Sequence, residues 1–435
     1  MKTVVYGLWH LGCVTAACLA NAGGQVVGLD GDEDVVRGLG AGRPPLDEPG
    51  LADRIAGGLR GGRLSFTTDA DAALRDASVL WVAFDTPVNE RDEADVAWVR
   101  GRLDAIADVI RPGTLVLVSS QVPVGFTAAL ERDWRPRGLR YAYSPENLRL
   151  GQALQGFDRP ERIVVGVRDP VDLDLLAGLF RPFSNRIEWM SIESAEMTKH
   201  ALNAFLATSV AFANEVARVC EAVGADAKDV ERGLKSEGRI GPRAYLSPGA
   251  AFAGGTLARD VRFLAALGGR QGVATPLLDG VMSSNDVHKA WLHETVRAAL
   301  RGTERPVAAV LGLTYKPGTS TLRRSASVEL CRWLRGEGVA VRAHDPAVPE
   351  LPADLRDLGV VLCASAQEAV SGADVAVVAT EWPDYRGLGA GDLVRAMRRP
   401  RVIDPNWFLA AALSAEPRLT YIATGRSPKS PGAKP

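Results

Sequence analysis

Lys199 and Asn203 stand four residues apart in a stretch without glycine or proline, so both fall on one face of a helix. At that spacing an ammonium and an amide can converge on one oxygen. There they would stabilise the negative charge that develops when an alcohol is deprotonated or an aldehyde is attacked. A lone lysine on a helix is ordinarily a solvated one, so the chemical reading of Lys199 depends on the residues that accompany it. A second constellation opens the chain. Gly7-Leu8-Trp9-His10-Leu11-Gly12 has the spacing of a GxGxxG turn with tryptophan in place of the middle glycine, and Asp30 follows Gly7 by 23 residues. The first glycine of such a turn permits the tight bend, the last lets the helix pack on the strand, and the middle one lets backbone approach a pyrophosphate. A carboxylate at position 30 can accept both ribose hydroxyls and would repel a 2′-phosphate, so the expected cofactor is NAD. Trp9 at the contact position argues for the competing reading, a vestigial dinucleotide fold without cofactor.

These residues need a scaffold, and the chain alternates in the way that builds one. Apolar strands are expected at 3–6, 25–29, 79–83, 115–119, 141–143 and 163–167, with a helix at 12–21 and irregular or helical segments between. That alternation implies a parallel sheet covered on both faces. From 194 to 223 one long apolar-periodic stretch follows, with more helix toward 233 and again at 276–300. A second strand, glycine and acidic residue then appear in 306–312 and 339–345. The expected fold is α/β, with two Rossmann-like doubly wound domains joined by a helical middle domain that has a long central helix. The expected division is 1–193 for dinucleotide binding, 194–300 for the helical and dimerising middle, 301–423 for the second Rossmann-like domain, and 424–435 as a disordered tail poor in apolar residues.

Composition narrows the partners. The 435 residues carry 51 Lys and Arg against 52 Asp and Glu, which supplies no electrostatic reason to bind nucleic acid or an anionic membrane. No apolar run is long enough for a membrane span. The five cysteines, Cys13, Cys18, Cys220, Cys331 and Cys363, have neither CxxC spacing nor the density of a disulfide framework, so a reducing cytoplasm is expected and no metal site is suggested.

A family resemblance rests on several blocks in order. Pro248-Gly249-Ala250-Ala251-Phe252-Ala253-Gly254-Gly255-Thr256-Leu257-Ala258-Arg259-Asp260 resembles, without gaps, the PGPGYGGSCFPKD block of the UDP-glucose/GDP-mannose dehydrogenases. Ser119-Ser120-Gln121-Val122-Pro123-Val124-Gly125 resembles their SSTVPVG, and Ser144-Pro145-Glu146-Asn147-Leu148-Arg149-Leu150-Gly151 their NPEFLREG. Ser194-Ala195-Glu196-Met197-Thr198-Lys199-His200-Ala201-Leu202-Asn203 is similar to SAE..K...N, followed by an NE pair at Asn214-Glu215. The segment Gly312 to Ser325 is similar to GL.YKPGTDDLRES, and the likeness runs from residue 1 to about 410.

The resemblance implies roles. Glu146 would orient water or act as a general base, and Lys199, Asn203 and Asp260 would join it in catalysis. Glu146 has a structural alternative as a helix-capping or salt-bridging residue. Gly7, Trp9, Leu11, Gly12, Asp30, Thr86, Pro87, Gln121 and Arg323 would line the cofactor site. Leu148, Arg149, Arg239, Tyr245, Gly249 and Lys316 would line the substrate site. Arg239 and Arg243 have guanidinium forks that suit a diphosphate, and either could equally be a surface arginine.

Several positions depart from the pattern. Leu150 replaces a glutamate, Ser320, Thr321 and Arg324 replace two aspartates and a glutamate, and Pro405 replaces an arginine. Thr256 stands where the family carries its catalytic cysteine. In the family that thiolate attacks a C6 aldehyde, and the thiohemiacetal loses a second hydride to become a thioester that water cleaves. A threonine hydroxyl is a far weaker nucleophile, so the covalent route is expected to be closed.

The expectation is therefore an NAD-dependent nucleotide-sugar dehydrogenase acting on the C6 primary alcohol of a UDP-hexose-like substrate, as a homodimer. It would stop at the aldehyde or form the acid without a thioester. The alternative is an inactive nucleotide-sugar-binding paralogue that serves as a sensor or partner. A dehydrogenase of 3-hydroxy acids is disfavoured by the Gly254-Gly255 block and the second Rossmann-like half.

Overall fold

The structure, a computed structural model, describes residues 1–87, 89, 94–146, 148–253, 255–322 and 325–426. It divides into two compact units, Met1–Ala201 and Leu202–Pro435.

The first unit is built on an eight-stranded sheet ordered β3-β2-β1-β4-β5-β6-β7-β8. Its strands are β1 Lys2–Tyr6, β2 Gln25–Leu29, β3 Leu64–Thr67, β4 Val79–Val82, β5 Leu115–Val118, β6 Arg140–Tyr143, β7 Ile163–Val167 and β8 Ile187–Ser191. The central runs VLWV and LVLV are buried at every residue, as strands covered on both faces must be. The order of the first six strands is that of a dinucleotide-binding sheet. The helix His10–Asn21 buries Leu11 through Ala20, which explains its run of alanines. It lies between the sheet and the helix Leu51–Arg60 and has no wet face.

The sheet departs from the all-parallel expectation at one place: β7 pairs antiparallel with β6, and β8 then runs parallel to β7. The chain thus re-enters the sheet at the end it left. The intervening loop and the helix Ala153–Asp158 stay near the helix His10–Asn21, which keeps Glu146 at the carboxyl edge of β6. The edge strands β3 and β8 were not expected, because LSFT and IEWMS lack a continuous apolar run.

The second unit contains a fully parallel six-stranded sheet, ordered β11-β10-β9-β12-β13-β14. These strands are β9 Val307–Leu311, β10 Ala340–His344, β11 Val361–Leu362, β12 Val375–Val378, β13 Arg401–Ile403 and β14 Thr420–Ile422. Counted outward from β9, the order repeats that of β1 to β6. The two glycine turns also match: Gly312 has φ +94° and the Leu313 amide donates to Asp345 at 2.7 Å, while Gly7 has φ +96° and the Leu8 amide donates to Asp30 at 2.7 Å. The helices Ala227–Ser236, Thr256–Arg270 and Pro276–Leu300 belong to this unit. The long helix is Ile192–Val223, and the division between the two units falls inside it.

Residues at the start of the expected tail have partners in the second unit. Arg426 forms an ion pair with Asp226 at 2.6 Å, and the Gly425 amide donates to Glu221 at 2.7 Å, so 424–426 are held in place by groups whose distance in sequence hides them. Residues 427–435 lie outside the described residues. Among the described residues, no helix is long and apolar enough to cross a membrane, and no cluster of His, Cys, Asp or Glu could hold a metal.

Candidate active site

The glycine turn is sterically committed. A Cβ on Gly7 would fall 2.5 Å from the Phe84 ring, and one on Gly12 would fall 1.7 Å from the Gly7 carbonyl oxygen. The helix therefore starts as close to β1 as glycine allows. Trp9 caps that helix by backbone alone, and its indole is turned out, with 52% of the residue exposed. Asp30 spends Oδ2 on the Leu8 amide at 2.7 Å and Oδ1 on the Asp32 amide at 3.1 Å. Each carboxylate oxygen has a second lone pair, so ribose hydroxyls can still be accepted. Asp30 thus braces the turn. The turn, the close helix and the acidic strand end together fit an NAD dinucleotide.

The neighbouring loops are tied to this turn. Thr86 Oγ1 donates to the Gln121 carbonyl at 2.8 Å, and the Pro87 carbonyl accepts from Asp95 at 2.8 Å. The Leu11 amide donates to Asp85 at 3.1 Å. Crowding by the protein around its carboxyl pushes Asp85 up to about 6, although the residue as a whole is exposed. The Leu11 amide and His10 work against that rise, and the charge of Glu146 adds to it.

Glu146 and Lys199 meet inside the first unit. Lys199 is only 7% exposed. Its ammonium donates to the Glu146 carbonyl and lies 3.7 Å from the carboxylate Oε1, while the other carboxylate oxygen accepts from the Leu148 amide at 2.7 Å. A cavity of about 90 Å³ opens beside Glu146, lined in part by Leu11, Ser144, Leu148 and Phe157. Arg149 is exposed.

Three residues that the sequence reading did not assign hold these loops. Buried Glu48 accepts from the amides of Gly151 at 2.7 Å and Ala153 at 2.8 Å, and meets His10 Nε2 at 3.1 Å. Buried Glu196 accepts from the Gly125 amide at 2.6 Å, the Thr127 amide at 3.0 Å and the Thr127 hydroxyl at 2.7 Å. His200 Nε2 meets the Val122 carbonyl at 3.0 Å. Glu48 lies in the segment Ala41 to Leu51, which is similar to an early segment of a known family, but no local signal there told which amides its carboxylate would meet. Glu196 and His200 flank Lys199 closely enough to have been suspected.

In the second unit, Asn203 donates its side-chain amide to the buried carboxylate of Asp260. Thr256 is exposed and opens the helix Thr256–Arg270, one turn before Asp260. The loop that leads to it is held almost entirely by side chains. Asn214 accepts from Gly249 at 2.9 Å, Asn406 accepts from Ala250 at 2.7 Å, and His288 meets the Gly249 carbonyl at 2.8 Å. Asn285 closes a double bond with Phe252, accepting from its amide at 3.0 Å and donating to its carbonyl at 2.9 Å. Gly249 must lack a side chain because a Cβ would fall 2.4 Å from Asn406 Oδ1. Asn285→Ala leaves two buried backbone groups unpaired and is expected to destabilise the folded protein by about 2–4 kcal/mol, read as a lower Tm and lower denaturant midpoint.

Arg239 is exposed and paired with Glu237 at 3.0 Å, and Tyr245 is exposed. Lys316 is half-buried, with its carbonyl bonded to Thr319 at 3.1 Å. Arg323, Arg324, Asn147 and Gly254 lie outside the described residues.

Known proteins resemble this chain along most of its length. Three family models match in order, all from the UDP-glucose/GDP-mannose dehydrogenase family: its NAD binding domain at residues 1–184, its central domain at 193–287 and its UDP binding domain at 309–410. The chain is 35% identical to the UDP-glucose 6-dehydrogenase of Pseudomonas aeruginosa, covering 98% of each. It is 33% identical to that of Rhizobium meliloti, covering 93% of this chain and 94% of the relative. Among solved structures, a UDP-glucose dehydrogenase from the hyperthermophilic archaeon Pyrobaculum islandicum superposes with a TM-score of 0.85 at 29% identity, covering 98% of each chain.

Proposed function

Because the chain belongs to the UDP-glucose/GDP-mannose dehydrogenase family and is an NAD-dependent nucleotide-sugar dehydrogenase, we propose that it oxidises the C6 primary alcohol of a UDP-hexose and releases the aldehyde. The observation that carries the chemistry is the burial of Lys199 against Glu146, within the unit that holds the dinucleotide turn. NAD, when bound, accepts the hydride. Lys199 holds the C6 oxygen and stabilises its negative charge as the proton leaves. Glu146 takes that proton through a water, for which the adjoining cavity has room. In the second unit, the Asp260 carboxylate fixes the direction of the Asn203 amide.

No thiol substitutes for the missing one. All five cysteines are buried, and burial raises the thiol pKa of Cys13 and Cys220 and pushes Cys18 and Cys331 up to about 12. Cys220 packs with Ala217 and Ala227, whereas Ala258, next to Thr256 on its helix, packs in a different cluster. UDP is favoured over GDP by the match of 309–410 to a UDP binding domain. Mass spectrometry of products formed with NAD from UDP- and GDP-hexoses tests the proposal. A UDP-linked aldehyde is the expected product, and turnover confined to GDP-sugars would reject the assignment.

The proposal includes a homodimer formed along the long helix. Phe205, Phe212 and Val219 recur every seventh residue and are 67%, 48% and 58% exposed, an apolar seam that a second copy of the same helix would cover. Light scattering after gel filtration should give a dimer for the native chain and a monomer for Phe205→Glu/Phe212→Glu. A native monomer would remove this part of the proposal.

A further inference from the structure

At the amino end of the helix His10–Asn21, the Leu11 amide has no partner within the helix and donates instead to Asp85 Oδ2 at 3.1 Å. Asp85 lies three residues beyond β4, and β4 neighbours β1 where the strand order turns back. That crevice is where open α/β sheets hold their ligands, and the helix end within it favours an anion through its free amides and its dipole. A dinucleotide would present its diphosphate there. In this chain a carboxylate from the chain itself already takes the amide. Asp30 holds the neighbouring Leu8 amide, so both amides are bonded to side-chain carboxylates. Glu146 adds a further negative charge in Asp85's surroundings, and His10 the opposing positive one when it is protonated. Asp85 itself is exposed, but two anions that share one amide sit within a few ångströms of each other and repel strongly.

We propose that Asp85 is an internal anion that competes with the cofactor's diphosphate for the Leu11 amide and so sets the affinity for NAD. Binding then requires the Asp85 carboxylate to turn out of the crevice. A ligand that carries the adenosine part without the diphosphate escapes this competition, because its ribose addresses Asp30. The inference depends on the NAD cofactor and not on the choice of sugar or product, so its test contains no sugar.

The experiment is isothermal titration of the full chain and its Asp85→Asn and Asp85→Gly variants with NAD and, separately, with adenosine. Asparagine keeps the shape and the bond to the Leu11 amide without the charge, and it guards against a glycine variant that fails to fold. NAD should bind both variants about tenfold or more tightly than it binds the native chain, since one full charge is removed beside the diphosphate. Adenosine affinity should be unchanged. Added salt should narrow the difference for NAD, as it screens the repulsion. Unchanged or weaker NAD binding by Asp85→Asn would overturn the proposal. Equal tightening for NAD and adenosine would also overturn it, because that result would mean Asp85 merely props the loop.

Discussion

Lys199→Ala should lower kcat about a thousandfold or more while leaving the folded state intact. A loss of that size corresponds to about 4 kcal/mol of transition-state stabilisation, within reach of one buried cation that acts on a developing oxyanion. The burial of Lys199 supports the estimate, because an ammonium withdrawn from water and given an acceptor retains an electrostatic strength that a solvated lysine lacks. Lys199→Met is the companion variant, since it keeps the hydrocarbon stem and removes only the charge. Both variants should retain native circular dichroism, and the defect should fall on kcat more than on KM if the ammonium acts chiefly in the transition state. Steady-state NADH production with the UDP-sugar that the native chain oxidises is the readout. Turnover close to native in Lys199→Met would remove Lys199 from the chemistry and leave it as a brace for the Glu146 loop.

A second large effect is expected at Thr256. The native chain should form one NADH per sugar and accumulate the aldehyde, whereas Thr256→Cys should form two NADH and the uronic acid. The position is prepared for a thiolate. It is exposed, it follows Gly255 at φ +95°, and it opens a 15-residue helix whose amino end would lower the pKa of a cysteine placed there. The thiolate would add to the aldehyde carbon to give a thiohemiacetal, which would lose its hydroxyl proton to a base and its C6 hydrogen as hydride to a second NAD, leaving a thioester. Water would then cleave the thioester and return the thiol. Threonine cannot take the first step, because its hydroxyl does not ionise near neutral pH. Product mass spectrometry with parallel NADH quantification checks both halves. Acid and two NADH from the native chain would show that an aldehyde hydrate suffices without a thiol. Aldehyde alone from Thr256→Cys would show that more of the thioester machinery than the nucleophile is missing.

The elements that carry the site were legible wherever their signal is local. Strands β1, β2, β4, β5 and β6 announce themselves as short apolar runs, and the two glycine turns announce the start of each Rossmann-like half, because glycine is demanded there by φ and by contact. The long helix was legible because apolar periodicity runs through it without a breaker. The antiparallel entry of β7 was not legible, since strand direction depends on which end of the sheet the preceding loop returns to, and no residue in IVVGV records that.

Site residues divide in the same way. Residue type and spacing were enough to nominate Lys199, Asn203 and Asp30, and the resemblance to family blocks nominated Glu146 and marked Thr256 as a missing nucleophile, because reactive groups, helix periodicity and motif blocks are properties of short segments. The hydrogen-bond partners came from the fold. Glu48 reaches an amide 103 residues away, Asn285 closes on Phe252 across 33 residues, and Asp85 meets Leu11 across 74. A buried amide or carboxylate must find a partner, but which one it finds is set by the packing of whole elements, and that long-range choice also decides whether the cofactor's seat starts out empty or already holds a carboxylate.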